Sequence, residues 1–300
     1  MRFAELFARA HGPIVSFELF PPKTDAAMES LRGVLPKLVA LRPDFMTVTY
    51  GALGSTRGRT LEIASQIRRE FAMETACHLT CVGSTREEID RILDDVALTG
   101  IENLVALRGD PPAGETSFTP PPGGFRHASE LVAHVRARRT FGMAVAGYPE
   151  KHVEAPDRAT DLRHLRDKVA AGGDIVITQL FYDNAHYFRF VEEARTLGIR
   201  VPIVPGLLPA VSAAQVKRMT GLCGATAPAA LLGRLEDAGA DEARSIAVGV
   251  EHTVAQAREL LERGVPGIHF YVLNRSGPVT RIMDEIRPHI AARITPLSSK

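Results

Sequence analysis

ETACHLTCVGSTREEIDRILDDVALTGIENLVALRGD, residues 74–110, holds the repeating unit of the fold. ETACHLTC (74–81) and NLVALRGD (103–110) are short apolar runs of strand length. In TREEIDRILDDVALTG (85–100), between them, apolar residues recur at three and four, and the segment closes on Gly100, a helix-stop signal. Strand, helix, strand is the connection that a pair of parallel strands requires.

The same alternation runs outward in both directions. IVSFELF (14–20) and DFMTVTY (44–50) precede this stretch, and MAVAGYP (143–149), IVITQLF (175–181), VPIVPGLLP (201–209) and GIHFYVLN (267–274) follow it. Eight strand candidates separated by helical patterns predict a (β/α)8 TIM-type barrel; such barrels take about 250 residues, so this one uses nearly the whole chain. An open doubly wound sheet is the alternative, since βα alternation does not by itself close a sheet, but a count of eight favours closure. Residues 210–266 are long enough for an extra helix before the last strand. The expected organisation is one barrel over 1–300, with 1–13 as an N-terminal helix or arm and 289–300 as a loosely held tail. A Pro/Gly-rich segment, PPAGETSFTPPPGG (111–124), follows the fourth strand and has the length of a lid or binding loop, or of a plain surface insertion.

Composition removes several functions. A net charge of +1, with both signs mixed along the chain, gives no basic field for nucleic acid. Glu5 and Arg9 interrupt the N-terminus before any signal-length apolar run, and no run reaches membrane-span length, so a cytoplasmic location is expected. Cys77, Cys81 and Cys223 make no disulfide framework and no zinc spacing, so no metal site is read. Neither GxxxxGK[ST] nor a GxGxxG after a strand occurs; GALGSTRG (51–58) matches neither.

Side chains alternate across a strand, so one parity of each run points into the barrel. That parity groups Ser16 with Glu18, Thr47 with Thr49, His78 with Thr80, Arg108 with Asp110, Gln179 with Ile175 and Ile177, and His269 with Tyr271, Leu273 and Arg275. All lie toward the C-terminal ends of their strands, where barrels of this type place their chemistry. One polar residue there could be a satisfied core group; six strands' worth reads as a site. Glu18, between phenylalanines in FELFPP, is expected to be desolvated, raised in pKa and able to act as an acid. Asp110, beside Arg108, is read as a carboxylate. Two carboxylates at a barrel mouth would also suit a glycoside hydrolase, but a chain with no Trp offers few sugar platforms.

Nine stretches, VSFELFPPK, VTYG, HLTC, LRGDPP, AGYPEKHVEA, DLRHLRDKVAAGG, ITQLFYD, PIVPGLLP and HFYVLNR, resemble in kind and order the strand-end motifs of the flavin-dependent methylenetetrahydrofolate reductases. The resemblance implies that NAD(P)H reduces FAD, which then passes hydride to the folate methylene in a ping-pong cycle within one pocket. Glu18 matches the family's general acid, and Asp110 the carboxylate beside the flavin pyrimidine. For FAD the matching positions are Thr49, Tyr50, Ala52, His78, Arg108, Gly109, Asp110, Ala128, Tyr148, His152, Ala155, Asp161, His164 and Lys168, with Arg108 and Lys168 set against the pyrophosphate. A solvated helix face is the plainer reading of the 161, 164, 168 spacing, and the helix's start at the barrel mouth favours ligand contact. Gln179, Gln215, Met219, Leu273 and Arg275 match the substrate side, Arg275 suiting the folate carboxylate tail. Met219 stands where relatives often carry an aromatic, and His127 where some carry tyrosine. No control through the long regulatory extension of animal relatives is expected, and a homo-oligomer is compatible with the resemblance. A flavin-free folate reductase or folate-dependent methyltransferase on the same barrel, and a folate or flavin carrier without turnover, are the rival functions; the first predicts a colourless protein.

Overall fold

The structure is a computed structural model that describes residues 1–50, 57–111 and 118–294. In chain order the elements are α1 (Phe3–Arg9), β1 (Ile14–Leu19), α2 (Asp25–Val39), β2 (Phe45–Val48), α3 (Arg57–Phe71), β3 (Glu74–Thr80), α4 (Arg86–Leu98), β4 (Asn103–Leu107), α5 (Ala128–Arg138), β5 (Gly142–Gly147), α6 (Arg158–Ala170), β6 (Ile175–Thr178), α7 (Asn184–Thr196), β7 (Ile203–Val204), β8 (Gly206–Leu207), α8 (Ala213–Cys223), α9 (Ala229–Ala238), α10 (Glu242–Glu262), β9 (Gly267–Tyr271) and α11 (Ser276–Ile294). The 74–110 unit shows why. In α4, Thr85 Oγ1 accepts from the Glu88 N–H while Glu88 Oε2 accepts from the Thr85 N–H, a reciprocal cap. Ile89, Ile92, Leu93 and Val96 then bury one face of α4, and the flanking β3 and β4 pair in parallel.

All strand pairs are parallel, in the order β7-β6-β5-β4-β3-β2-β1-β9-β8. Eight expected strands thus become nine, because the run 201–209 is interrupted at Pro205, which has no N–H for a ladder. The interruption joins the two edges: β7 pairs with β6, β8 pairs with β9, and the Pro205 carbonyl accepts from the His269 N–H at 2.9 Å. The barrel is closed by one broken strand. Expected strand ends overran by one to three residues, since the last residues of each run leave the sheet as loops above it. Three helices, α8, α9 and α10, fill the connection before β9. Helix α11 continues through 289–294, the start of the segment expected as a tail.

Helix α1 closes the N-terminal end of the barrel. Phe3 packs edge-on against Phe45 at 5.0 Å, and its N–H donates to Asn103 Oδ1 at 2.8 Å. Ile14, Ala76, Val105, Ala144, Ile175 and Ile177 complete this lower, apolar layer of the interior. Apart from Asn103, whose side chain holds α1, the polar groups that line the cavity lie above it. No helix among the described residues is long and apolar enough to cross a membrane.

Candidate active site

The C-terminal mouth opens on a cavity of about 410 Å³, a size that suits a small organic ligand. At its base stands Glu18, placed by strand register between Thr47 of β2 and Tyr271 of β9. Three groups converge on Glu18 Oε2: Thr47 Oγ1 donates at 3.2 Å, and the Nε2 atoms of His78 and His269 lie at 3.1 and 3.3 Å. Ser16 Oγ lies 2.8 Å from His269 Nδ1, so the chain of bonds runs Ser16, His269, Glu18, His78.

Burial alone would push the Glu18 carboxyl up, but the His78 and His269 imidazoles outweigh it by charge and hydrogen bonding and hold it well below the usual carboxylate range. The expected upward shift is therefore reversed: in the ligand-free site the two imidazoles favour the ionised form of Glu18. Its sequence neighbours Phe17 and Leu19 are fully buried in the layer between sheet and helices, while the polar groups of three other strands share its own face.

Of the positions matched to FAD, Tyr50, His78, Arg108, Gly109, Asp110, Tyr148 and His152 line the cavity. Arg108 forms a two-pronged pair with Glu154, at 2.5 and 2.6 Å, and its guanidinium sits 5.2 Å from the Phe118 ring. That pair lowers the Glu154 carboxyl and raises Arg108. Around the end of β5, Tyr148 meets His152 edge-on at 4.6 Å, and Asp161 accepts from the His152 N–H at 3.1 Å. Lys168 Nζ donates to the Ala146 carbonyl at 2.5 Å, and burial pushes this ammonium down to about 8 against the opposing pull of Asp161. Burial by the protein, with a smaller push from Arg108, likewise lowers His152. His164 is exposed on α6, and Ala155 is buried with its carbonyl held by Lys151 Nζ. Thr49 continues β2, its N–H donating to the Leu19 carbonyl; Ala128 opens α5. Ala52 lies outside the described residues, as do residues 112–117 of the loop 111–124.

Of the positions matched to the substrates, Gln179, Met219 and Leu273 line the cavity. Gln215 does not: its Oε1 accepts from the Val211 N–H at 2.8 Å and its Nε2 donates to the Pro209 carbonyl at 3.4 Å, securing the loop before α8. Arg275 lines a smaller adjoining crevice and pairs with Glu242 at 2.8 Å. Sequence reasoning passed over Phe20, Val82 and Cys223 in the cavity wall, and Glu154. It also missed Asn274, whose amide grips the Phe20 backbone in both directions, at 3.1 and 2.8 Å, and so ties the loop after β1 to the loop after β9. Leu273 and Asn274 both have positive φ, 48° and 54°, a costly conformation that this tie supports. None of these partners is near another in sequence, so no pattern announced them.

Two observations test whether a flavin fits. The Thr80 hydroxyl, in the cavity wall, is buried without a hydrogen-bond partner among the described residues. Gly109, at φ +88°, brings bare backbone against Val82, where a Cβ would stand 2.8 Å from Val82 Cγ1. Leu107 and Ala146 line the same cavity, so apolar surface and a few polar points are both present for a planar ring with a polar edge.

Closed parallel strands, an apolar lower layer and a titratable cluster at the strand C-termini define the class: a TIM-type α/β barrel with an active-site cavity at its mouth. Residues 3–287 match the methylenetetrahydrofolate reductase family model. The chain belongs to that family. It is 37% identical over 270 residues to the 5,10-methylenetetrahydrofolate reductase of Escherichia coli, covering 90% of this chain and 89% of that one. To methylenetetrahydrofolate reductase (NADH) 1 of Arabidopsis thaliana it is 41% identical over 270 residues, 86% of this chain; it spans only 46% of the plant protein. Among solved structures, an uncharacterized Clostridium thermocellum protein that binds two copies of 5-methyl-5,6,7,8-tetrahydrofolic acid shares the fold at a TM-score of 0.64 and 16% identity, covering 98% of this chain and 99% of that one.

Proposed function

We propose that the chain reduces 5,10-methylenetetrahydrofolate to 5-methyltetrahydrofolate, with NADH or NADPH as donor and FAD as the resident cofactor. The observation that carries this reading is the convergence of His78, His269 and Thr47 on the Glu18 carboxylate at the base of the mouth cavity. When bound, FAD supplies a two-electron relay that lets the two substrates use one pocket in turn. The reactions for which the Escherichia coli and Arabidopsis relatives are named, and the folate bound by the Clostridium protein, support the substrate class.

The chain's own residues divide the work. Arg108 and Lys168 would meet the FAD pyrophosphate by exchanging Glu154 and the Ala146 carbonyl for phosphate oxygens. Asp110 and Tyr148 line the flavin side, while Gln179, Met219 and Leu273 line the substrate side. Met219 offers the pterin or nicotinamide a polarizable apolar contact in place of a stacking ring. Arg275, on releasing Glu242, would take the folate carboxylate tail. Opening of the folate five-membered ring needs a proton on N10. Because the two imidazoles favour the ionised form of Glu18, the proton it delivers would come from a protonated His78 or His269, which is left as the neutral imidazole. The acid is thus the whole cluster.

Anaerobic visible spectra test this reading: flavin bands should bleach with NADH and return with methylenetetrahydrofolate. In Glu18→Gln, bleaching by NADH should stay close to wild type and the folate step should fall by about 10²–10⁴-fold. A colourless protein that takes up no added FAD refutes the flavin reading, and equal loss in both steps refutes the acid assignment.

A further inference from the structure

Four buried side-chain atoms lack a hydrogen-bond partner among the described residues: Thr80 Oγ1, Arg158 Nη2, Tyr182 Oη and Arg258 Nε. Of their residues, only Thr80 lines the mouth cavity. Its side chain is 94% buried, ending β3 two residues above His78 on the same face. Nearby backbone offers it nothing, because the turn after β4 is held by its own bonds: the Cys81 and Val82 N–H groups both donate to the Arg108 carbonyl, at 3.0 and 3.1 Å. Gly109 then brings the chain back so closely that a Cβ there would lie 3.2 Å from the Thr80 Cβ. A valine would fill the same space without the cost of a buried, unbonded hydroxyl, so the apo protein gains nothing from this oxygen.

We propose that the Thr80 hydroxyl is a hydrogen-bonding contact to the polar edge of the flavin ring system. This rests on the flavin reading above. The flavin is favoured over the second substrate because Thr80 stands between His78 on its own strand and Gly109 and Asp110 after the next, whereas Gln179, Met219 and Leu273 come from the end of β6, from α8 and from the loop after β9. The contact adds to affinity and to the electronic environment of the ring, with no proton or electron passing through Thr80.

The test compares wild type, Thr80→Val and Thr80→Ser, first as apoprotein and then with FAD added. Denaturant midpoints of the apo forms should show Thr80→Val at least as stable as wild type, since an unbonded hydroxyl has been replaced by a methyl. The FAD Kd of Thr80→Val should rise about five- to tenfold, with a shift in the bound flavin's visible bands, and Thr80→Ser should restore both toward wild type. Wild-type Kd and an unchanged spectrum in Thr80→Val overturn the contact. So does a destabilised apo Thr80→Val, which would mean that the hydroxyl has a protein partner. A raised KM for the folate with an unchanged FAD Kd overturns it as well, by moving the hydroxyl to the substrate. Failure of the wild-type protein to take up FAD is a different result and removes the flavin reading itself.

Discussion

Lys168 shows how a residue's partners set its charge. Its pKa is pushed from the ordinary lysine value of 10.5 down to about 8 because burial penalises the ammonium more than Asp161 favours it. The folded state therefore binds fewer protons than the unfolded chain between about pH 8 and 10.5, and stability rises with pH across that window. At neutral pH the buried ammonium is destabilising, so Lys168→Met should raise the apo melting temperature at pH 7 and flatten the rise toward pH 10. The same substitution should weaken FAD binding by roughly ten- to a hundredfold, the contribution of a charge-assisted hydrogen bond. In wild type, FAD affinity should fall as pH climbs through about 8. Melting curves and FAD titrations from pH 7 to 10 check both signs, and a pH-independent FAD Kd would rule Lys168 out as the pyrophosphate partner. Glu18 carries the opposite lesson. Its neighbours along the chain, Phe17 and Leu19, point away from it, and the groups that decide its charge come from β2, β3 and β9. Burial of Glu18 was legible in FELFPP; the two imidazoles on its oxygen were not, because they are 60 and 251 residues away.

At the scale of elements, closure of the barrel depends on the pair β7 and β8. Pro205 breaks the run, and Gly206 lets β8 slip between β6 and β9: a Cβ there would stand 2.2 Å from the Thr178 carbonyl oxygen and 2.7 Å from Tyr271 Cε2. Tyr271 Oη itself donates to that carbonyl at 2.7 Å, and the Gly206 N–H donates to Thr178 Oγ1 at 2.9 Å. The backbone oxygen cannot yield as a flexible side chain would. Gly206→Ala should destabilise by about 1–3 kcal/mol, the range of an overpacked core, and should also perturb the cavity wall through Tyr271. Chemical denaturation measures the first effect; a loss below about 0.5 kcal/mol, as at an unremarkable surface site, would mean that the closure is looser than the structure indicates. The apolar runs announced the strands, with starts within two residues of those observed, and the helical periods announced the alternation between them. They did not announce the break, because VPIVPGLLP reads as one apolar run whether or not its middle proline leaves the ladder.

Over the whole molecule, stability and chemistry occupy opposite ends of the barrel. The lower layer is apolar and capped by α1, with Phe3 fully buried against Phe45; the N-terminal ammonium adds ion pairs to Glu74, at 2.8 Å, and to Glu102. Phe3→Ala should cost about 3–5 kcal/mol, the usual range for a buried phenylalanine, while leaving FAD affinity unchanged because the cavity lies at the other end. Denaturant midpoints and FAD titration separate the two readouts; a stability loss under about 1 kcal/mol would show that α1 is not a structural cap. What the sequence by itself determined is the parallel barrel, the inward face of most strands, and the inventory of polar residues at the strand ends; on β4 the inward residues are Asn103, Val105 and Leu107, and Arg108 and Asp110, expected on the inward face, reach the cavity from the loop beyond the strand. Those features follow from local periodicity, which a strand or helix expresses whatever surrounds it. Only the tertiary structure decided which of these residues meet: Glu18 with His78 and His269, Arg108 with Glu154, Asn274 with the Phe20 backbone, and Thr80 with no partner at all among the described residues. Charge state and hydrogen-bond satisfaction depend on distances of about 3 Å between atoms far apart in the chain, and only strand register and barrel closure set those distances.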